Sequence, residues 1–186
     1  MKGLWLVLGA LLLPGSIWAA DVEGVAVPVR AEVGGETLML NGAGVRGKFI
    51  FDIYVGALYL REKTTQGNAA ITMDGPKRVS MHFLYDEVSG EKLAKGWSEG
   101  FERNQSGEAM QVLRPRLEQF NAMFSTVHEG DVIVLDYAPD EGTKVSIRGK
   151  EIGVVAGEDF NRALLGVWLG EKPADKRLKN AMLRAK

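Results

Sequence analysis

The chain has 186 residues, of which 46% are hydrophobic and 25% charged, the proportions of a globular protein with one domain. The formal net charge is −1 and the lysines and arginines are scattered, which argues against a nucleic-acid binder. The absence of cysteine excludes a disulfide framework, a thiolate nucleophile, a lipoprotein anchor and any zinc site built on sulfur.

The first residues, "MKGLWLVLGALLLPGSIWAAD", have the layout of a secretory signal peptide. Lys2 supplies the positive start, Leu4 to Leu13 the apolar core, and Ala19-Ala20 a small-residue exit before Asp21. The apolar stretch is barely long enough to span a bilayer, and Pro14 and Gly15 favour cleavage over retention as an anchor. The expectation is a leader over 1–20, a single domain over 21–186, a periplasmic or secreted location, and no membrane span once the leader is removed.

Strand signals follow. "VAVPVRAEV" and "ETLMLNG" flank Gly34-Gly35 and read as a hairpin, with Pro28 suited to an edge position. Lys48 to Leu60 is apolar on both alternating faces, which predicts a central strand covered on each side. Phe49, Phe51, Ile53, Val55, Ala57 and Tyr59 share one face; Ile50, Asp52, Tyr54, Gly56, Leu58 and Leu60 share the other. "AAITM" and "KRVSMHFLYD" read as further strands.

From Ser89 the period changes. Leu93, Trp97 and Phe101 recur every fourth residue and make one helical face, with Ser89 as N-cap and two glycines inside. A second helical pattern runs through Met110, Leu113, Leu117, Phe120, Phe124 and Val127, with Pro115 expected to kink it or start its second half. Strands then return with turns at "PDEG" and "RGK", and two helices broken at Gly170 to Pro173 end the chain, with Asp159 as the expected cap of the first. This order predicts an α+β fold, an antiparallel sheet with helices gathered on one face and a ligand cleft between the layers.

Few residues point to chemistry. His82 and His128 are isolated from each other and from any pattern that would make a metal site or a catalytic pair. No phosphate-binding or nucleophile motif is present, and neither metal nor cofactor is expected. "NGAGVRG" is glycine-rich but precedes a strand rather than opening a helix. What remains is Arg46 at the entry of a long apolar strand, with Asp52, Tyr54 and Tyr59 as that strand's polar groups. A guanidinium is permanently charged and offers forked donors to an anion. By spacing alone, Arg46 either holds an anionic headgroup or pairs with Asp52 or another carboxylate at the sheet rim.

The stretch "LNGAGVRGKFIFDIYVGALYL" resembles the signature of the chalcone isomerase superfamily, a Gly-x-Gly-x-Arg turn entering a long strand. "FNRALLGVWLGEKPADKRLKNAML" resembles its closing helices, and with the helical hairpin from Ser89 to Val127 the likeness covers nearly all of the chain after the leader. The resemblance implies an open-faced β-sandwich, a large antiparallel sheet covered on one face by helices. In the family's enzymes an arginine steadies the attacking phenolate while a threonine and a tyrosine organise water near the carbonyl; in non-catalytic relatives the arginine holds a fatty-acid carboxylate. Only Arg46 carries over securely. Tyr54 stands near the threonine position, "SGEKLAKG" puts Lys92 or Leu93 where the tyrosine is expected, and Val167-Trp168 replace a polar residue.

The resulting expectation is non-catalytic binding of a small amphipathic anion such as a fatty acid, anchored by Arg46. Tyr54, Tyr85, Trp97, Phe101, Phe120 and Trp168 are the further site candidates. An isomerase or lyase acting on a phenolic or enone substrate through Arg46, with Tyr54 or Tyr85 replacing the missing hydroxyls, and a structural or interaction role, remain as alternatives.

Overall fold

The structure, a computed structural model, describes residues 19–184. The leader expected over 1–20 lies almost wholly outside those residues. Its last two, Ala19 and Ala20, begin strand β1 (Ala19–Val22), which pairs with β2 (Val25–Pro28) as a separate hairpin. Pro28 ends β2 in that hairpin, and the chain then enters the main sheet.

The main sheet has seven strands, all neighbours antiparallel: β3 (Arg30–Val33), β4 (Glu36–Lys48), β5 (Phe51–Leu60), β6 (Lys77–Phe83), β9 (Val132–Ala138), β10 (Gly142–Ile147) and β11 (Lys150–Val155), in the order β11-β10-β9-β6-β5-β4-β3. Between them lie α1 (Gly67–Thr72), the small ribbon of β7 (Glu87–Val88) and β8 (Val127–His128), and the helical hairpin α2 (Gly90–Asn104) and α3 (Gly107–Asn121). The chain closes with α4 (Glu158–Leu169) and α5 (Lys176–Met182).

The central strand is covered on both sides, as its pattern requires. Tyr54, Leu58 and Leu60 of β5 join the large core under the helices, with Phe101, Phe120 and Phe160. Val55, Ala57 and Tyr59 face the other way, into a smaller core with Val27, Val33 and Leu38. The sheet therefore has a helical layer on one side and a thinner cover from the N-terminal strands on the other.

Four local expectations are corrected. "AAITM" falls in α1, not in a strand; its alanines favour helix, and so short an apolar run has no decisive period. α3 ends at Asn121, so Phe124 and Val127 are buried beyond the helix that their spacing suggested, and Pro115 sits inside one continuous helix. The N-cap of α4 is Gly157; Asp159 lies in the first turn and is drawn to Arg116 at 2.6 Å. "NGAGVRG" is not a turn but the second half of β4, and the reversal comes after it, at Phe49-Ile50.

The glycines in that half-strand have a packing reason. A Cβ on Gly42 would run into the Ala181 and Met182 backbone, and one on Gly44 into the Ala181 side chain. Across the ladder, Gly44 pairs with Gly56, where a Cβ would meet Met182 Cε at 2.8 Å and Leu178 at 3.2 Å. The three glycines form a shallow trough in which α5 lies directly on the backbone of β4 and β5. Asn41 fastens its far end, donating to the Met182 carbonyl at 2.7 Å. Gly42→Ala is expected to cost about 1–3 kcal/mol, the usual effect of overpacking, whereas Gly107→Ala, with open space around it, stays within about 1 kcal/mol of the parent protein; chemical denaturation of both variants checks this.

Candidate functional site

The β4–β5 hairpin, the segment after β6 and the first turns of α2 enclose a cavity of about 480 Å³, a size typical of small-ligand pockets. Its walls are mainly apolar: Ile53, Phe83, Leu93 and Trp97, with Val167 and Ala174 from the C-terminal segments. Arg46, Tyr54, Tyr85 and Lys92 supply polar groups. Gly100 lets α2 and α4 close together at one side, since a Cβ there would stand 2.8 Å from Val167.

Arg46 and Tyr54 are cross-strand partners in β4 and β5, beside a bulge between Arg46 and Gly47. Their pairing brings the Arg46 guanidinium carbon to 5.5 Å from the centre of the Tyr54 ring, a cation–π contact. Arg46 is half-buried, and its Nε is fully buried with no hydrogen-bond partner. None of the ion pairs among the described residues includes it. Asp52, the rim carboxylate considered from the sequence, is exposed. Asp175 is occupied instead as the N-cap of α5, accepting from the N–H groups of Arg177 at 2.7 Å and Leu178 at 3.1 Å, and from Gly47 N at 3.2 Å.

Tyr54 is 3% exposed, and its hydroxyl oxygen accepts a 2.8 Å hydrogen bond from Trp168 Nε1. The indole can only donate, so the phenol keeps its own proton to give elsewhere. Burial pushes the Tyr54 phenol above its ordinary range; Arg46 and the Trp168 N–H pull it back, and Asp175 adds to the rise. The result is a neutral hydroxyl next to a cation whose buried N–H has no acceptor. Two donor groups border one apolar cavity, the arrangement that suits an anionic or strongly polarised oxygen.

The other candidates divide. Tyr85 lines the cavity and makes an edge contact with Phe51, ring centres 5.3 Å apart. Trp97 lines it too, with its Nε1 buried and unpartnered. Phe101, Phe120 and Trp168 are not walls of the cavity but core. Phe101 packs on Phe160 at 5.4 Å and Phe120 on Trp97 at 5.6 Å, while Trp168 stands behind the site, bonded to Tyr54 and packed edge-on against Trp97 at 5.4 Å. Helical spacing identified the face turned to the sheet, but not where along it the layers part. His82 is half-buried in β6, its pKa lowered by burial, and His128 faces Glu87 at 3.5 Å at the surface. Ile53, Phe83 and Ala174 were not singled out, because nothing distinguishes them in sequence from other core residues; Asp175 had a signal, an aspartate two residues past the proline that breaks the terminal helices.

A large antiparallel sheet with a helical layer over one face defines the chalcone isomerase-like class of fold. The family model described as chalcone isomerase-like matches residues 19–184, and the chain belongs to that family. Among solved structures it is similar to a fatty-acid binding protein of Arabidopsis thaliana, with a TM-score of 0.66 and 16% identity over 87% of this chain and 92% of the other. At that identity the likeness concerns the fold. Comparison with curated protein sequences gives no match.

A raised phenol pKa has a definite sign in stability. The contribution of Tyr54 is fully present below the ordinary tyrosine pKa of about 10 and is lost as pH rises through the higher folded value. Tyr59 and Tyr137 are shifted in the same direction by burial, so all three share the alkaline loss. The difference between the parent and Tyr54→Phe isolates one share: the parent is expected to lose stability more steeply above about pH 10, measured by denaturation at a series of alkaline pH values.

Proposed function

We propose that the protein binds a small amphipathic anion, such as a fatty acid, without transforming it, in the cavity between β5 and α2. Arg46 takes the headgroup, the Tyr54 hydroxyl adds a hydrogen bond, and the apolar walls take the chain. The observation that carries this reading is Arg46 itself, half-buried with an unpartnered N–H at an apolar cavity. The guanidinium lines the cavity with no carboxylate among the described residues paired to it, and an incoming carboxylate supplies that partner in a partly desolvated site. The fatty-acid binding relative in the same fold supports the ligand class. The leader-like N-terminus supports work in the periplasm or outside the cell; no helix among the described residues is long and apolar enough to cross a membrane.

The Arg46–Tyr54 pair also favours a second reading. A cation steadies a phenolate and a neutral hydroxyl polarises a carbonyl, which is what closing a chalcone-like substrate requires. Lys92 and Leu93, however, face the cavity from the start of α2, where the family resemblance places a tyrosine, so this reading has only the Tyr54 and Tyr85 hydroxyls of β5 and the segment after β6 to work with.

Native mass spectrometry with lipid extraction tests the proposal. The parent is expected to carry a bound organic acid that Arg46→Ala loses, and Arg46→Lys to bind at least about tenfold more weakly because the forked donor is gone. An empty parent that turns over a chalcone faster than solution, and loses this in Tyr54→Phe, would replace binding with isomerisation.

A further inference from the structure

The reversal between β4 and β5 is the most apolar exposed feature among the described residues. Phe49 is 91% exposed, Ile50 90% and Phe51 49%, three consecutive large side chains at the end of a two-stranded projection. Ordinary surfaces carry such side chains singly, and a contiguous cluster marks a contact surface. Phe49 also adopts φ of 58°, a left-handed conformation that a bulky aromatic rarely takes and that costs free energy. The hairpin holds this ring outward against both its hydrophobicity and its backbone preference.

Charge and position define the occupant. Lys48 precedes the tip, and Lys92 and Lys95 stand across the cavity on α2, all three exposed. The cavity lining holds four basic side chains, Arg46 with these lysines, against the carboxylates of Glu87 and Glu99. Glu99 pairs with Lys95 at 3.9 Å, which leaves Arg46, Lys48 and Lys92 against Glu87. Asp52 is the carboxylate of the hairpin itself, one residue beyond the apolar tip. Apolar side chains ringed by net positive charge fit the boundary of an anionic bilayer, where aromatic and aliphatic groups enter the acyl region and lysines stay with the headgroups. Lys48, Phe49 and Phe51 also line the cavity, so the tip and the opening are one surface.

The geometry points to the Phe49–Phe51 hairpin tip as a docking element for an anionic lipid surface, which sets the cavity mouth against the membrane. Where the bound molecule is a fatty acid, as in the reading above, docking gives it a path between bilayer and Arg46 that avoids water. Docking itself needs no ligand, so the two ideas fail separately.

The test is sedimentation of the protein with vesicles of phosphatidylcholine, with and without phosphatidylglycerol. Binding to the anionic vesicles is expected to exceed binding to neutral ones about tenfold and to weaken with salt. Phe49→Ser/Ile50→Ser is expected to lose most of it, about tenfold or more, with an unchanged unfolding midpoint because both side chains are exposed. Lys48→Glu/Lys92→Glu should abolish the preference for anionic vesicles, whether or not native mass spectrometry finds a bound acid in the parent. The proposal is overturned if the parent ignores both vesicle types, if it binds both equally, or if the serine variant binds like the parent. Analytical ultracentrifugation adds one more overturning outcome: a dimer that dissociates in the serine variant would assign the tip to a second copy of the chain.

Discussion

The site depends on how closely α5 approaches the sheet. The trough made by Gly42, Gly44 and Gly56 removes the layer of side chains that would otherwise hold a helix away from a strand. With α5 seated there, its N-cap Asp175 meets the backbone of Gly47, the residue after the arginine. The Asp175 oxygens are thereby taken by three backbone N–H groups, while the carboxylate's charge is still felt at Tyr54. Arg46 is left facing the cavity with charge to give. The same glycine-rich segment thus sets the position of the helix and, through Gly47, of the carboxylate at its N-cap.

A second constraint fixes the tyrosine. Trp168 is fully buried in α4 and its indole N–H has a single good acceptor, the Tyr54 oxygen. Because the tryptophan cannot turn without voiding the core, the phenol is held in one rotamer with its proton directed away from the indole. The helical layer therefore acts on the site from behind. Packing is converted into orientation of a hydrogen-bond donor by a side chain that does not itself line the cavity.

Much of this was legible in the chain. Two-faced burial of β5, the change from period two to helical period at Ser89, and the Ser89 cap follow from local chemistry, and the structure shows the cap accepting from Lys92 N at 3.3 Å. Arg46 stood out because a permanent charge at the entry of an apolar strand needs a reason. What stayed hidden depends on contacts between segments distant in sequence. The role of the glycines is visible only once α5 lies over them, more than a hundred residues later. Phe101 and Phe120 share their helical face with wall residues, and only the divergence of helix and sheet separates wall from core. Val127 carries a helical spacing yet lies in β8, since an apolar residue just past a helix end satisfies both patterns.

The way α5 is held has a further consequence. A seven-residue helix has too few internal hydrogen bonds to persist in water, so it exists only while it rests in the trough. The segment that leads into it carries Ala174, part of the cavity wall, and Asp175, the clamp on Gly47. Local unfolding at the end of the chain would therefore remove a wall of the cavity and release a carboxylate beside Arg46 in the same event. The shape of the cavity and the order of α5 are thus coupled through Ala174 and Asp175.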